Sequence, residues 1–283
     1  MKILKKIGQI LLCPLPLLLM LAIQFTGVFL ATIIIVITTQ SPDPYSAVME
    51  QYGILLLTVQ CITLAVFALW YFLAYGHRKS FTLPHRVLSG RDLGLFLILG
   101  LSLYSLVLVY MGIASVVTPG EMEKYEAMIE ESGMTDLTFL STVSTLILAP
   151  LSEELIFRGI TMNLSKKAVP GFWTANVIQA ICFGIAHLNW IQGSYAFLLG
   201  LALGYVCEVY HSLYPGMLLH LVFNFFGTYL AVLLGLLPMP DLVQYLILAA
   251  VGSLLTVLCF SRLHRKKNPP KTPGYWTGEP MDF

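Results

Sequence analysis

Apolar runs of about twenty residues recur along the whole chain, and they leave few architectures open. A bilayer core about 30 Å thick takes about 20 apolar residues as one helix. Every backbone amide inside it must be bonded within its own segment, so a run of that length reads as a spanning helix. The candidates are 9–38, 52–75, 93–117, 137–160, 172–188, 194–210, 214–235 and 242–261. The fifth and sixth are the shortest and are separated only by residues 189–193, NWIQG, which suits a tight hairpin. Hydrophobic residues make up 57% of the 283 and charged residues only 11%, where a soluble domain carries roughly 25% charged. The expected fold is therefore all-α, a polytopic membrane helix bundle of about eight transmembrane helices. The N-terminus begins like a signal peptide, but its apolar run extends to about Ile37. That exceeds a secretory h-region of about 7–15 residues, so a retained first span is expected.

The charges order these spans. Net charge is +1, which argues against nucleic acid as a partner. The five cysteines stand singly with no CxxC, so neither a disulfide framework nor a thiolate metal site is suggested. With eight spans, Lys2, Lys5 and Lys6, then Arg78, Lys79, Arg86 and Arg91, then Lys166 and Lys167, then Arg262, Arg265, Lys266, Lys267 and Lys271 all fall on one side. The positive-inside rule makes that side cytoplasmic, with both termini there. The longest opposite segment, TPGEMEKYEAMIEESGMTD, is acidic, and its centre suits a short amphipathic helix outside. The polar, Pro-rich end, 262–283, reads as a flexible cytoplasmic tail. The chain thus divides into an N-terminal part with three spans and the acidic loop, 1–136, a five-span part, 137–261, and the tail.

Against this background the stretch LAPLSEELIFRGI is anomalous. All five aspartates lie in loops, at span edges or in the tail, yet Glu153, Glu154 and Arg158 sit inside a span. One such group near a helix centre costs about 2.5–3.5 kcal/mol on insertion scales. Three are tolerable where they pair, face the bundle interior or line a wet cavity, and such groups are functional candidates by default. Glu154 and Arg158 are four residues apart, share a helix face and can pair. Glu153 is rotated by about 100° and lacks that partner. A carboxylate beside a like charge, without a fixed ion pair, suits a general base or acid. A purely structural ion network is the competing reading, but it would more naturally use one acid per base.

Two further spans carry histidines. His187 lies in AICFGIAHLN; His220 and Asn224 lie in GMLLHLVFNFF, four apart and on one face. Glu153 lies 17 residues before position 170 at the Pro-Gly hairpin tip, and His187 lies 17 after it, which sets both at similar depth. His220 joins them if the hairpin bearing Lys166 and Lys167 protrudes a turn or more. Such a site opens as a cavity towards the cytoplasm, on the order of 10 Å deep at 1.5 Å per residue. The set suits activation of water, with Glu153 taking the proton, His187 positioning it, and His220 and Asn224 donating to a developing oxyanion. Neither an HExxH zinc motif nor a GxSxG elbow is present, and no Asp lies mid-span. Ser152 as a nucleophile and zinc on Glu153, His187 and His220 stay open.

EELIFR matches EExxxR, FGIAH matches FxxxH and HLVFN matches HxxxN. Three such motifs in order, on separate spans, resemble the CAAX prenyl protease and bacteriocin-processing family of intramembrane endopeptidases, also called the Abi family. The resemblance covers about residues 137–240. It implies an eight-helix fold with a conical cavity open to the cytoplasm, Glu153 as base acting with His187 on water, and His220 with Asn224 as oxyanion site. Glu154 and Arg158 take supporting roles, and Glu208 is a further support candidate. The glutamate mechanism requires no cofactor, zinc being the alternative. The implied substrate is a membrane-associated protein or peptide in the cell membrane, prenylated or not. Two other classes compete: a non-catalytic scaffold or bacteriocin-immunity protein of the same fold, and a proton-coupled carrier. No motif residue is lost, and the motif set is not mirrored in residues 1–120, which disfavours both.

Overall fold

The computed structural model describes residues 2–75, 88–131, 138–235 and 241–267, and every regular element among them is helical. The helices are α1 (Lys2–Leu11), α2 (Leu15–Thr39), α3 (Pro44–Glu50), α4 (Tyr52–Tyr75), α5 (Gly90–Val117), α6 (Pro119–Glu131), α7 (Phe139–Ala168), α8 (Phe172–Ala186), α9 (Trp190–Tyr210), α10 (Tyr214–Gly235) and α11 (Asp241–Lys267). Six stretches among the described residues are helices long and apolar enough to cross a membrane: Lys6–Thr39, Tyr52–Tyr75, Gly90–Val117, Phe139–Ala168, Trp190–Tyr210 and Leu242–Lys267. The other two expected spans coincide with α8 and α10. At 15 residues α8 is about 22 Å long, shorter than the hydrocarbon core. The chain is thus a polytopic all-α membrane bundle.

The first expected span is broken near its start. Pro14, which has no N–H to continue a helical ladder, stands between α1 and α2. The acidic segment does form a helix, α6. Its Met122 and Tyr125 are buried against Ala114 and Ile191, while Glu123 and Glu126 face outward. Arg78, Lys79, Arg86, Asp136 and the tail from residue 268 lie outside the described residues.

Successive long helices run up and down, and one end gathers the basic residues. There Lys167 lies 5.4 Å from the ring of Tyr75 at the end of α4. Asp92, in a capping box with Ser89 that starts α5, accepts from Lys266 at 3.1 Å and from the Tyr210 hydroxyl. Glu208 accepts from Lys166 at 2.6 Å and lies 3.8 Å from Lys267. Helix α1 packs against Met162–Ala168. The first helix and the last described residues therefore occupy the same end of the bundle.

The core is built from Phe67, Phe96, Leu99, Phe157, Phe183, Leu203 and Leu219, with exposed Leu, Ile and Phe side chains on the outside. Helices α8 and α9 approach backbone to backbone: a Cβ on Gly184 would stand 2.7 Å from the Gly193 carbonyl oxygen. Buried Asn176 and Gln179 donate across this contact to the Leu201 and Gly200 carbonyls at 3.0 and 2.9 Å, an interhelical bonding mode common in membranes. The link between them is only three residues long. Leu188 adopts a left-handed conformation, and Asn189 caps α9 by accepting from the Gln192 N–H.

Candidate active site

Helix α7 is not uniformly α-helical. Ser144–Leu148 and Glu154–Thr161 are π-helical and flank a short α-helical stretch that contains Pro150. Proline removes a ladder hydrogen bond, and local π adjustment is one way a membrane helix absorbs it. Such bulges frequently mark functional positions. The paired acids lie where the α-helical stretch passes into the second π segment.

Glu154 and Arg158 are both buried, and Arg158 Nη1 donates to Glu154 Oε1 at 2.8 Å. The same oxygen lies 3.0 Å from His220 Nδ1. On the other side of that ring, His220 Nε2 lies 3.5 Å from Glu153 Oε2. Adjacent glutamates thus bracket one imidazole, each on its own nitrogen. Helix rotation alone separates the two acids, but long side chains around a protruding ring bring them back to a common partner. Their surroundings differ: the Glu153 side chain is 23% exposed and that of Glu154 is 0%.

Phe183 forms the base of the cluster. Its ring lies 4.4 Å beneath the Arg158 guanidinium and meets His187 and His220 edge-on at 5.0 and 5.7 Å. Arg158 Nε and Nη2 have no hydrogen-bond partner among the described residues, so the ring face supplies the remaining favourable contact for that charge. His187 closes α8, and its Nδ1 lies 2.9 Å from the Phe183 carbonyl oxygen. A carbonyl only accepts, so Nδ1 carries the proton and Nε2 of the neutral ring is an acceptor. The ring is close enough to Glu153, His220 and Arg158 to feel their charges. Asn224 donates from Nδ2 to the Thr145 carbonyl at 3.1 Å, tying α10 to the first π segment of α7.

Three contributors were not singled out from the sequence as site residues. Phe183 was visible only as the first letter of FxxxH. Cys207 of α9 places Sγ 4.0 Å from Glu154 Oε2. Gly216 of α10 leaves the space beside that oxygen open; a Cβ there would stand 2.7 Å from Oε2 and 2.5 Å from Cys207 Sγ. The α9–α10 turn therefore sits just under the site, while α7 continues for 14 residues past Glu154 to the hairpin. Ser152 is 1% exposed and donates to the Leu148 and Ala149 carbonyls, so its hydroxyl is not presented as a nucleophile. Among the described residues no three or more His, Cys, Asp or Glu side chains are arranged to hold a metal ion. Glu208, in its ion pairs with Lys166 and Lys267, belongs to the basic end.

Comparison with known proteins adds one match. The sequence model of a family described as type II CAAX prenyl endopeptidase Rce1-like matches residues 135–226. No curated protein and no solved structure matches the chain. The matched segment contains all six candidate residues, from Glu153 to Asn224. Over that segment, which is less than half of the chain, the sequence is similar to the Rce1-like type II CAAX prenyl endopeptidases.

Proposed function

We propose that the chain hydrolyses a peptide bond of a membrane-associated protein or peptide, using water activated by Glu153. The carrying observation is the contrast between the two acids: Glu153 is partly exposed, while Glu154 is enclosed and committed to Arg158 and His220. Only the first can meet water.

A water held between Glu153 and the acceptor Nε2 of His187 gives its proton to Glu153 as its oxygen attacks the carbonyl carbon. The carbonyl π-electrons move to oxygen. When the intermediate collapses, the C–N bond breaks and the proton returns from Glu153 to the leaving nitrogen. The oxyanion needs donors. With a proton on each His220 nitrogen, Glu153, Glu154, Arg158 and His220 sum to zero charge. Nδ1–H then serves Glu154, and Nε2–H is free to turn from Glu153 to the oxyanion. The second Nδ2 hydrogen of Asn224 can join it, since the first is held by Thr145. Glu154 and Arg158 are positioning residues. The basic end suits the cytoplasmic face, which makes both termini cytoplasmic and opens the site to that side.

The test is cleavage of a panel of membrane-tethered peptides by purified protein. Glu153→Gln is expected to lower turnover about 10²–10⁴-fold, the usual worth of a general base, and His220→Ala to do likewise. Turnover of the unaltered protein is expected to survive a chelator. Loss with chelator and recovery with zinc would make Glu153, His187 and His220 metal ligands instead. No cleavage at all, with both variants active in a cellular phenotype, would favour the non-catalytic scaffold.

A further inference from the structure

Away from the site, α9 and α11 diverge to leave an open groove of about 910 Å³ on the outside of the bundle. Its floor includes Leu103 of α5, Ala202 and Tyr205, and its rim includes Trp173, Leu198 and Val257, which are 60%, 62% and 62% exposed. The groove therefore opens sideways, towards lipid. Along α11 its lining runs from Thr256 to Lys267, about 16 Å at 1.5 Å per residue.

The two ends of the groove differ. One is walled by Leu103, Leu198, Leu201 and Val257; the other carries Ser261, His264, Arg265 and Lys267. The polar end coincides with the basic end of the bundle. Trp173 stacks on Tyr205 there at 5.6 Å and 10°, an aromatic platform of the kind found at headgroup level. The cations are not equivalent. Lys266 is held by Asp92, and Lys267 lies near Glu208 and over the ring of Phe172. Arg265 makes no ion pair or hydrogen bond among the described residues. An exposed guanidinium at one end of a groove whose other end is apolar matches a molecule with a phosphate at one end and a hydrocarbon chain at the other. Basic pockets between spanning helices on the cytoplasmic side commonly take anionic headgroups.

We propose that this groove is a binding site for an anionic glycerophospholipid, with its phosphate on Arg265 beside His264 and one acyl chain along Leu198, Leu201 and Val257. Bound there, the lipid bridges α9, which carries Cys207 of the candidate site, to α11. The site is independent of the hydrolytic reading and is tested without measuring cleavage.

The experiment is native mass spectrometry of the detergent-purified full chain titrated with phosphatidylglycerol or phosphatidylcholine of equal chain length. The unaltered protein is expected to retain phosphatidylglycerol about five-fold better, the worth of one basic side chain at an anionic headgroup. Arg265→Gln should bring the two lipids level, and Arg265→Lys should keep the preference. Val257→Trp, which fills the slot, should lower retention of both. Arg262→Gln, a neighbouring exposed cation outside the groove lining, should change nothing. Equal retention by the unaltered protein, or an unchanged preference in Arg265→Gln, would overturn the proposal. Displacement by millimolar inorganic phosphate would show a simple anion site, and a lipid-resistant dimer would assign the groove to a second copy; either overturns it.

Discussion

At Glu154 three helices converge on one carboxylate. Oε1 takes Arg158 Nη1 of α7 and His220 Nδ1 of α10, and Oε2 faces Cys207 of α9. Replacing that residue removes the counter-charge of a buried guanidinium. Glu154→Gln is expected to destabilise by about 3–5 kcal/mol, read as a lower thermal midpoint in detergent. Adding Arg158→Met should recover much of the loss, because an uncompensated charge costs more than a missing pair. Glu153→Gln, on a partly exposed side chain, should barely move the midpoint while removing turnover. Equal melting of both single variants would contradict this division of roles. Part of it was legible beforehand: spacing of four residues on a helix was enough to expect the Glu154–Arg158 pair. The shared histidine was not, because it depends on how α10 lies against α7, which no local pattern records.

Among the elements, α7 and α10 carry the most information. Apolar runs were enough to locate the helices, since twenty apolar residues have few alternatives. The break before α2 was not anticipated, although Pro14 stands at it, and neither were the π segments around Pro150, because a proline signals a disturbed ladder without saying how it is repaired. The fit between α7 and α10 turns on Gly216, where a Cβ would press on both Glu154 Oε2 and Cys207 Sγ. Gly216→Ala is expected to cost about 1–3 kcal/mol by overpacking. It should also lower turnover at least ten-fold, about what a 1.4 kcal/mol rise in barrier produces, because any shift of Glu154 moves His220. Full turnover in Gly216→Ala would show that the contact between these helices does not set the geometry of the site.

The whole molecule is polarised. Lys166, Lys167, Lys266 and Lys267 gather at one end with Asp92 and Glu208, while the acidic face of α6 lies at the other. A membrane-impermeant maleimide should therefore react in intact cells with a cysteine placed at Glu126 and not with one placed at Lys167. The reverse pattern would invert the proposed orientation and with it the side from which the site is reached. The same polarity was readable from the loops, but the ion pairs that tie α5, α7, α9 and α11 together were not, since they join residues as far apart as Asp92 and Lys266. The placement of Glu154 and Arg158 on one helix also bears on biosynthesis. The ribosome makes α7 before α10, so at that moment His220 does not yet exist. A charge and its counter-charge one turn apart enter the bilayer together, as a nearly neutral unit, and need no later helix to shield them. Arg158→Ala leaves two acids alone on the emerging segment. Its expected signature is less full-length protein in the membrane fraction, a defect of insertion that precedes folding.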